Sequence, residues 1–164
     1  MKMFRIFLIV LLISIFSPIV KGNSDTTRIV NYSQVPNIEH YVRMGLELLH
    51  INTINVVIHN LDKELKKTFS KGYELEGYVS KLEGGYIIHV AKGLTKKELI
   101  TMISHELIHI KQYESNELIV CKDTIIWQGH DLTALTNSEY EFRPWEVDAF
   151  NKEESIQHQL KTYK

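Results

Sequence analysis

The segment from Thr95 to about Tyr113 reads as a helix that is apolar on nearly every side, yet it carries His105, Glu106 and His109. Gly93 breaks the chain before it, and Thr95 followed three residues later by Glu98 is a capping box. Leu99, Ile100, Met102, Ile103, Leu107, Ile108 and Ile110 follow, with no internal proline or glycine. Such a helix belongs in the middle of a fold rather than on its surface. Polar groups cost several kcal/mol there unless something satisfies them. Two imidazoles four residues apart project from one helical face, close enough to bind a single metal ion. Glu106, next to the first histidine, points partly aside, where a general base can face a metal-bound water. The plainer alternative is a pair of histidines hydrogen-bonded to their neighbours.

A metal site that keeps one position open for water has three protein ligands. The third must come from elsewhere, and the segment Arg143-Pro144-Trp145-Glu146-Val147-Asp148-Ala149-Phe150 offers it. Pro144 suits the first turn of a new helix, whose positive end favours the acidic residues that follow. Glu146 and Asp148 are two apart and face differently, so they are rivals for one metal. At this point the chain resembles the gluzincin group of zinc metallopeptidases, in which a second helix supplies a glutamate downstream of the two histidines. The resemblance implies zinc as the cofactor, His105, His109 and Glu146 as its ligands, and Glu106 as the catalytic base. Several such families place an alanine three residues after the ligand glutamate, as Ala149 is here, often followed by an acidic residue or asparagine. Phe150 departs from that pattern, which removes a supporting carboxylate at that position. The run Tyr140 to Glu146 is also similar to small HExxH proteins of bacteria and phages.

The reading that follows is a zinc-dependent peptidase, or an amidase-like hydrolase, acting on a peptide or protein substrate. Zinc lowers the pKa of bound water to about 7 and polarises a carbonyl, while Glu106 takes the proton and passes it to the leaving amine. Tyr140, Arg143, His130 and His89 are the polar candidates for stabilising the oxyanion. Tyr140 comes first, because it shortly precedes the third ligand. A different class stays open: an exported binding or structural module whose zinc site is closed or vestigial. Glu106 argues for the enzyme, since the metal does not need it as a ligand.

Lys2 and Arg5 precede the apolar run Ile6 to Phe16, interrupted only by Ser14; Ser17-Pro18 ends it, and Val20-Lys21-Gly22 leads to a cleavage site before Asn23. Residues 1–22 are therefore expected to be a secretory signal, with an uncleaved anchor as the alternative and membrane contact only in that case. Residues 23–164 suffice for one domain with a real core. With 19 basic and 20 acidic residues and no basic cluster, nucleic acid is not an expected partner. The Lys63 to Lys67 cluster reads as a solvated face. Cys121 is alone, so no internal disulfide forms, and it is expected to be a small buried residue.

The remaining pattern predicts an α+β fold, a minimal zincin-like domain with a small, mostly antiparallel sheet. Asn23 to Arg28 reads as a polar lead-in and Val35 to Ile51 as a first helix. Ile54 to His59 is a strand. Tyr73 to Leu82 and Tyr86 to Ala91 form a hairpin turning at 83–85, and Leu118 to Cys121 with Thr124 to Gln128 a second. Trp145 to Leu160 is the last helix. In zincins an edge strand beside the active-site helix commonly pairs with substrate, and Tyr86 to Ala91 is either that strand here or an ordinary strand of the sheet. Trp127 and His130 on the second hairpin either wall the cleft or form a core flap.

Overall fold

A computed structural model describes residues 27–62 and 75–162. The expected secretory segment, Asn23 to Thr26 of the lead-in, and the Lys63 to Lys67 cluster lie outside the described residues. The protein is α+β. In chain order the elements are β1 (Arg28–Asn31), α1 (Ile38–Leu48), β2 (Asn55–Asn60), β3 (Gly77–Leu82), β4 (Gly85–Val90), α2 (Lys96–Glu114), β5 (Leu118–Cys121), β6 (Thr124–Trp127) and β7 (His130–Asp131). Two 3₁₀ turns, Thr133–Asn137 and Tyr140–Phe142, lead into α3 (Pro144–Thr162). Among the described residues no helix is long and apolar enough to cross a membrane.

The main sheet has the order β1-β2-β4-β3 and is mixed, where a mostly antiparallel one was expected. β1 pairs parallel with β2 and β2 parallel with β4, while β3 closes the hairpin antiparallel to β4. β1 itself was not foreseen: Arg28, read as the end of a polar lead-in, opens it, and residues 32–54, including α1, carry the crossover that a parallel pair requires. β4 takes the interior place because Tyr86-Ile87-Ile88-His89-Val90 is almost continuously apolar, as a strand flanked on both sides must be. β3, with Ser80 and Lys81, takes the edge. Tyr86 to Ala91 is thus an ordinary interior strand, and the reading of it as a substrate-pairing edge falls. β5, β6 and β7 form a separate antiparallel sheet.

Val56, Ile58, Val79, Tyr86, Ile88 and Val90 of the main sheet join α1 and α2 in one core. α2 runs through its centre, and every residue from Leu99 to Ile110 is buried. The capping box forms as expected: Thr95 Oγ1 accepts from the Glu98 N–H at 3.3 Å, and Glu98 Oε2 accepts from the Thr95 N–H at 2.8 Å. Trp127 belongs to the core, which decides its role in favour of the flap. Cys121 is exposed, contrary to expectation. The two-residue period of β5 turns Leu118 inward and sends Cys121 outward with Ile119.

Two glycines let neighbours close on α2. A Cβ at Gly45 of α1 would overlap the Leu107 side chain, and one at Gly77 of β3 would lie 2.6 Å from the His89 carbonyl oxygen and 2.7 Å from Met102 Sδ. The obstacle at Gly77 is partly backbone and cannot rotate away. Gly77→Ala is expected to destabilise the fold by about 1–3 kcal/mol through overpacking, read as a lowered urea midpoint. An unchanged midpoint would show that β3 does not approach α2 this closely.

Candidate metal centre

His105 and His109 sit one turn apart on α2 and project toward the first turn of α3, where Glu146 lies. Pro144 opens α3 as anticipated, and Glu146 and Val147 donate their N–H groups to the Arg143 carbonyl at 2.9 and 3.0 Å. His105, His109 and Glu146 are at most 1% exposed. His105 Nε2 is 3.1 Å from His109 Nε2 and 3.1 Å from Glu146 Oε2, and His109 Nε2 is 3.2 Å from the same oxygen. Three donor atoms thus form a nearly equilateral triangle. A tetrahedral cation with bonds of about 2.0–2.1 Å separates its ligands by about 3.3–3.4 Å, so the triangle matches one tetrahedral face to within a few tenths of an ångström. This buried group can hold a metal ion.

Electrostatics favour a cation at the same point. Burial alone would pull the His105 imidazole down, but hydrogen bonds to Glu146 and Glu153 and the charges of Glu146 and Glu106 reverse this and hold it at about 9. Burial pushes Glu146 up; the charge of His109 and hydrogen bonds with both histidines outweigh it and bring the carboxyl down to about 2. His105 therefore carries a proton between its ring and Glu146 at neutral pH. A metal seated among the three atoms takes that proton's place.

Glu106 is 1% exposed and lies against β3, where its carboxylate accepts the Val79 N–H. Burial pushes its carboxyl up to about 7, against the opposing pull of His109 and His105. Its Oε1 has no hydrogen-bond partner, and neither has Glu146 Oε1. Two buried carboxylate oxygens without partners are costly in a dry core, and a cation in the triangle would offset part of that cost.

The other sequence candidates separate clearly. Tyr140, on the second 3₁₀ turn, donates its hydroxyl to Glu146 Oε2, and burial keeps that phenol well above its ordinary value, hence protonated. The Arg143 guanidinium lies 5.5 Å from the Tyr140 ring centre. His89 is on β4, stacked on Tyr78 at 4.2 Å and lowered to about 4 chiefly by burial, while His130 is exposed on β7. Neither belongs to the triangle. Asp148, the rival ligand, instead accepts from Gln112 Nε2 at 2.9 Å and from Lys152 Nζ at 2.8 Å.

Two residues escaped the sequence reading. Glu153 Oε2 is 3.0 Å from His105 Nδ1, so a carboxylate supports this histidine after all, from one turn beyond Phe150. Phe150 instead packs its ring 4.8 Å from that of His105. Gln112 Oε1 is 2.8 Å from His109 Nδ1. The i,i+3 spacing of Gln112 from His109 was a readable signal; that of Glu153, seven residues after Glu146, was readable only by supposing two turns of α3 along one face.

No protein-family model and no curated protein matches this chain. The site assignment predicts that the purified chain takes up one divalent ion, that Glu146→Ala loses it, and that Asp148→Ala still binds one ion per chain at saturating metal. Metal analysis after gel filtration, with circular dichroism to check folding, decides this. Loss in the Asp148 variant alone would exchange the two assignments.

Proposed function

We propose that this protein is a zinc-dependent peptidase of the gluzincin kind, with His105, His109 and Glu146 as zinc ligands, Glu106 as the general base, and a peptide or protein as substrate. The observation that carries the reading is the position of Glu106. Its buried carboxyl accepts the Val79 N–H, keeps one oxygen without a hydrogen-bond partner, and lies near enough to feel the charges of His109, His105 and Glu146. A structural metal site has no use for such a group.

Two histidines and one carboxylate fit zinc, which accepts nitrogen and oxygen ligands and keeps a fourth position open in hydrolases. When bound, zinc supplies Lewis-acid polarisation and water acidified to a pKa of about 7. Glu106, raised to about 7 by burial, is matched to taking a proton and returning it to a leaving amine near neutral pH. Tyr140 stays protonated at the rim of the triangle, so its hydroxyl can donate to a developing oxyanion. The Arg143 cation over its ring and the Phe150 ring at 6.5 Å restrict where that hydroxyl can go.

β3 is an edge strand, and the hydrogen bond from Val79 to Glu106 places that edge beside the base. An extended peptide added to β3 would bring a backbone carbonyl to the triangle, using main-chain hydrogen bonds for affinity. This role passes from Tyr86 to Ala91, which is interior, to Gly77–Leu82. The basic and apolar pattern of residues 2–22 supports an exported enzyme.

Glu106→Gln is expected to retain metal and fold while lowering peptide hydrolysis by about 10²–10⁴-fold. Tyr140→Phe is expected to lower kcat by about 10²-fold with metal content unchanged, the loss of one oxyanion donor. A peptide-library digest with each metal-loaded variant measures both. Undiminished turnover in Glu106→Gln would remove the catalytic role assigned to it.

A further inference from the structure

Gln112 is buried on α2, three residues past His109, and the sites around it leave no freedom in how its amide lies. Its Nε2 donates to the Trp145 carbonyl and to Asp148 Oδ2, each at 2.9 Å. Both partners are pure acceptors. Turning the amide over would set its oxygen against a carbonyl and a carboxylate, leaving buried acceptors facing one another. The amide oxygen must therefore face His109 Nδ1, 2.8 Å away. An acceptor at that distance requires a proton on Nδ1, and a neutral imidazole with a proton on Nδ1 has its lone pair on Nε2. That is the atom turned into the triangle.

We propose that Gln112, pinned by Trp145 and Asp148 of α3, is a positioning residue that holds His109 as the Nδ1–H tautomer and so presents Nε2 to the metal. Asp148, a ligand candidate by sequence, acts one step removed from the metal, through this amide. α3 then contributes to each histidine from behind: Glu153 accepts at His105 Nδ1, and Asp148 with the Trp145 carbonyl orients the amide that accepts at His109 Nδ1. Lys152 Nζ, 2.8 Å from Asp148, holds that carboxylate from the other side. The affinity of the site thereby depends on the seating of α3 on α2, beyond the supply of Glu146 itself.

The part concerning metal affinity rests on the metal-site reading above; the tautomer does not, and the test separates them. Long-range ¹⁵N–¹H correlation on the metal-free chain reads the ring protonation of His109 directly, and is expected to show a proton on Nδ1. Gln112→Leu removes the acceptor at similar volume and is expected to move His109 toward the Nε2–H form and to weaken zinc binding about 10- to 100-fold, measured by competition with a chromophoric chelator. Asp148→Ala removes one of the two acceptors that pin the amide and is expected to weaken zinc binding by a smaller factor than Gln112→Leu while keeping the proton on Nδ1. An Nε2–H tautomer in the wild-type chain overturns the proposal, and so does a Gln112→Leu variant with unchanged tautomer and affinity. Should Gln112→Leu fail to fold, the wild-type tautomer and the Asp148→Ala variant decide. Absence of zinc binding in every form, with the tautomer shift intact, would remove the metal reading and leave the positioning role standing.

Discussion

Four ionisable side chains, His105, Glu106, His109 and Glu146, are buried together where α2 meets α3, and the rest of the structure serves that contact. Alone in an apolar core, each would cost several kcal/mol. Together they compensate partly, through shared protons and opposed charges, and the remainder is an arrangement with carboxylate oxygens still unpartnered. Such a contact is stable only if a cation completes it or if the surrounding packing is strong enough to hold it without one.

That packing is what the fold provides. A helix buried on one face can roll about its axis; α2, buried along its whole middle, cannot. Gly45 admits α1 beside Leu107, midway between the two histidines, and Gly77 admits β3 beside Met102. The direction in which His105 and His109 point is therefore set by contacts with α1 and β3 along the helix. β3 gives Glu106 the Val79 N–H, which keeps this carboxylate apart from the ligands although it is adjacent to one of them in sequence. The second 3₁₀ turn then delivers Tyr140 to Glu146, so that a group bearing a proton borders a site of acceptors.

Much of the architecture was legible. α2, its capping box, both hairpins, the start of α3 at Pro144 and the triad His105, His109 and Glu146 all appear where the sequence placed them. The errors share a cause. β1 is four residues long and became a strand only because β2 lay beside it; Arg28-Ile29-Val30-Asn31 has too little alternation to announce itself. β4 was taken for an edge because it precedes α2 directly, yet position in a sheet follows from which strand is the more apolar, and β4 outranks β3. Cys121 sat in an apolar run, but a strand with one face in water exposes every second residue whatever its neighbours are.

The same division runs through the site. Local periodicity determined that His105 and His109 share a face, that Glu106 does not, and that Pro144 opens a helix with acidic residues in its first turn, because these depend on 3.6-residue geometry and on caps a few residues apart. Which acid on that second helix joins the two histidines, Glu146 rather than Asp148, depends on how two helices rotate against each other, across a separation of 41 residues between His105 and Glu146. So do the carboxylate of Glu153 behind His105 and the forced amide of Gln112 behind His109. Hydrogen bonds within a helix are written in its spacing; hydrogen bonds between helices are decided by the packing that brings them face to face, and only the tertiary structure holds that information.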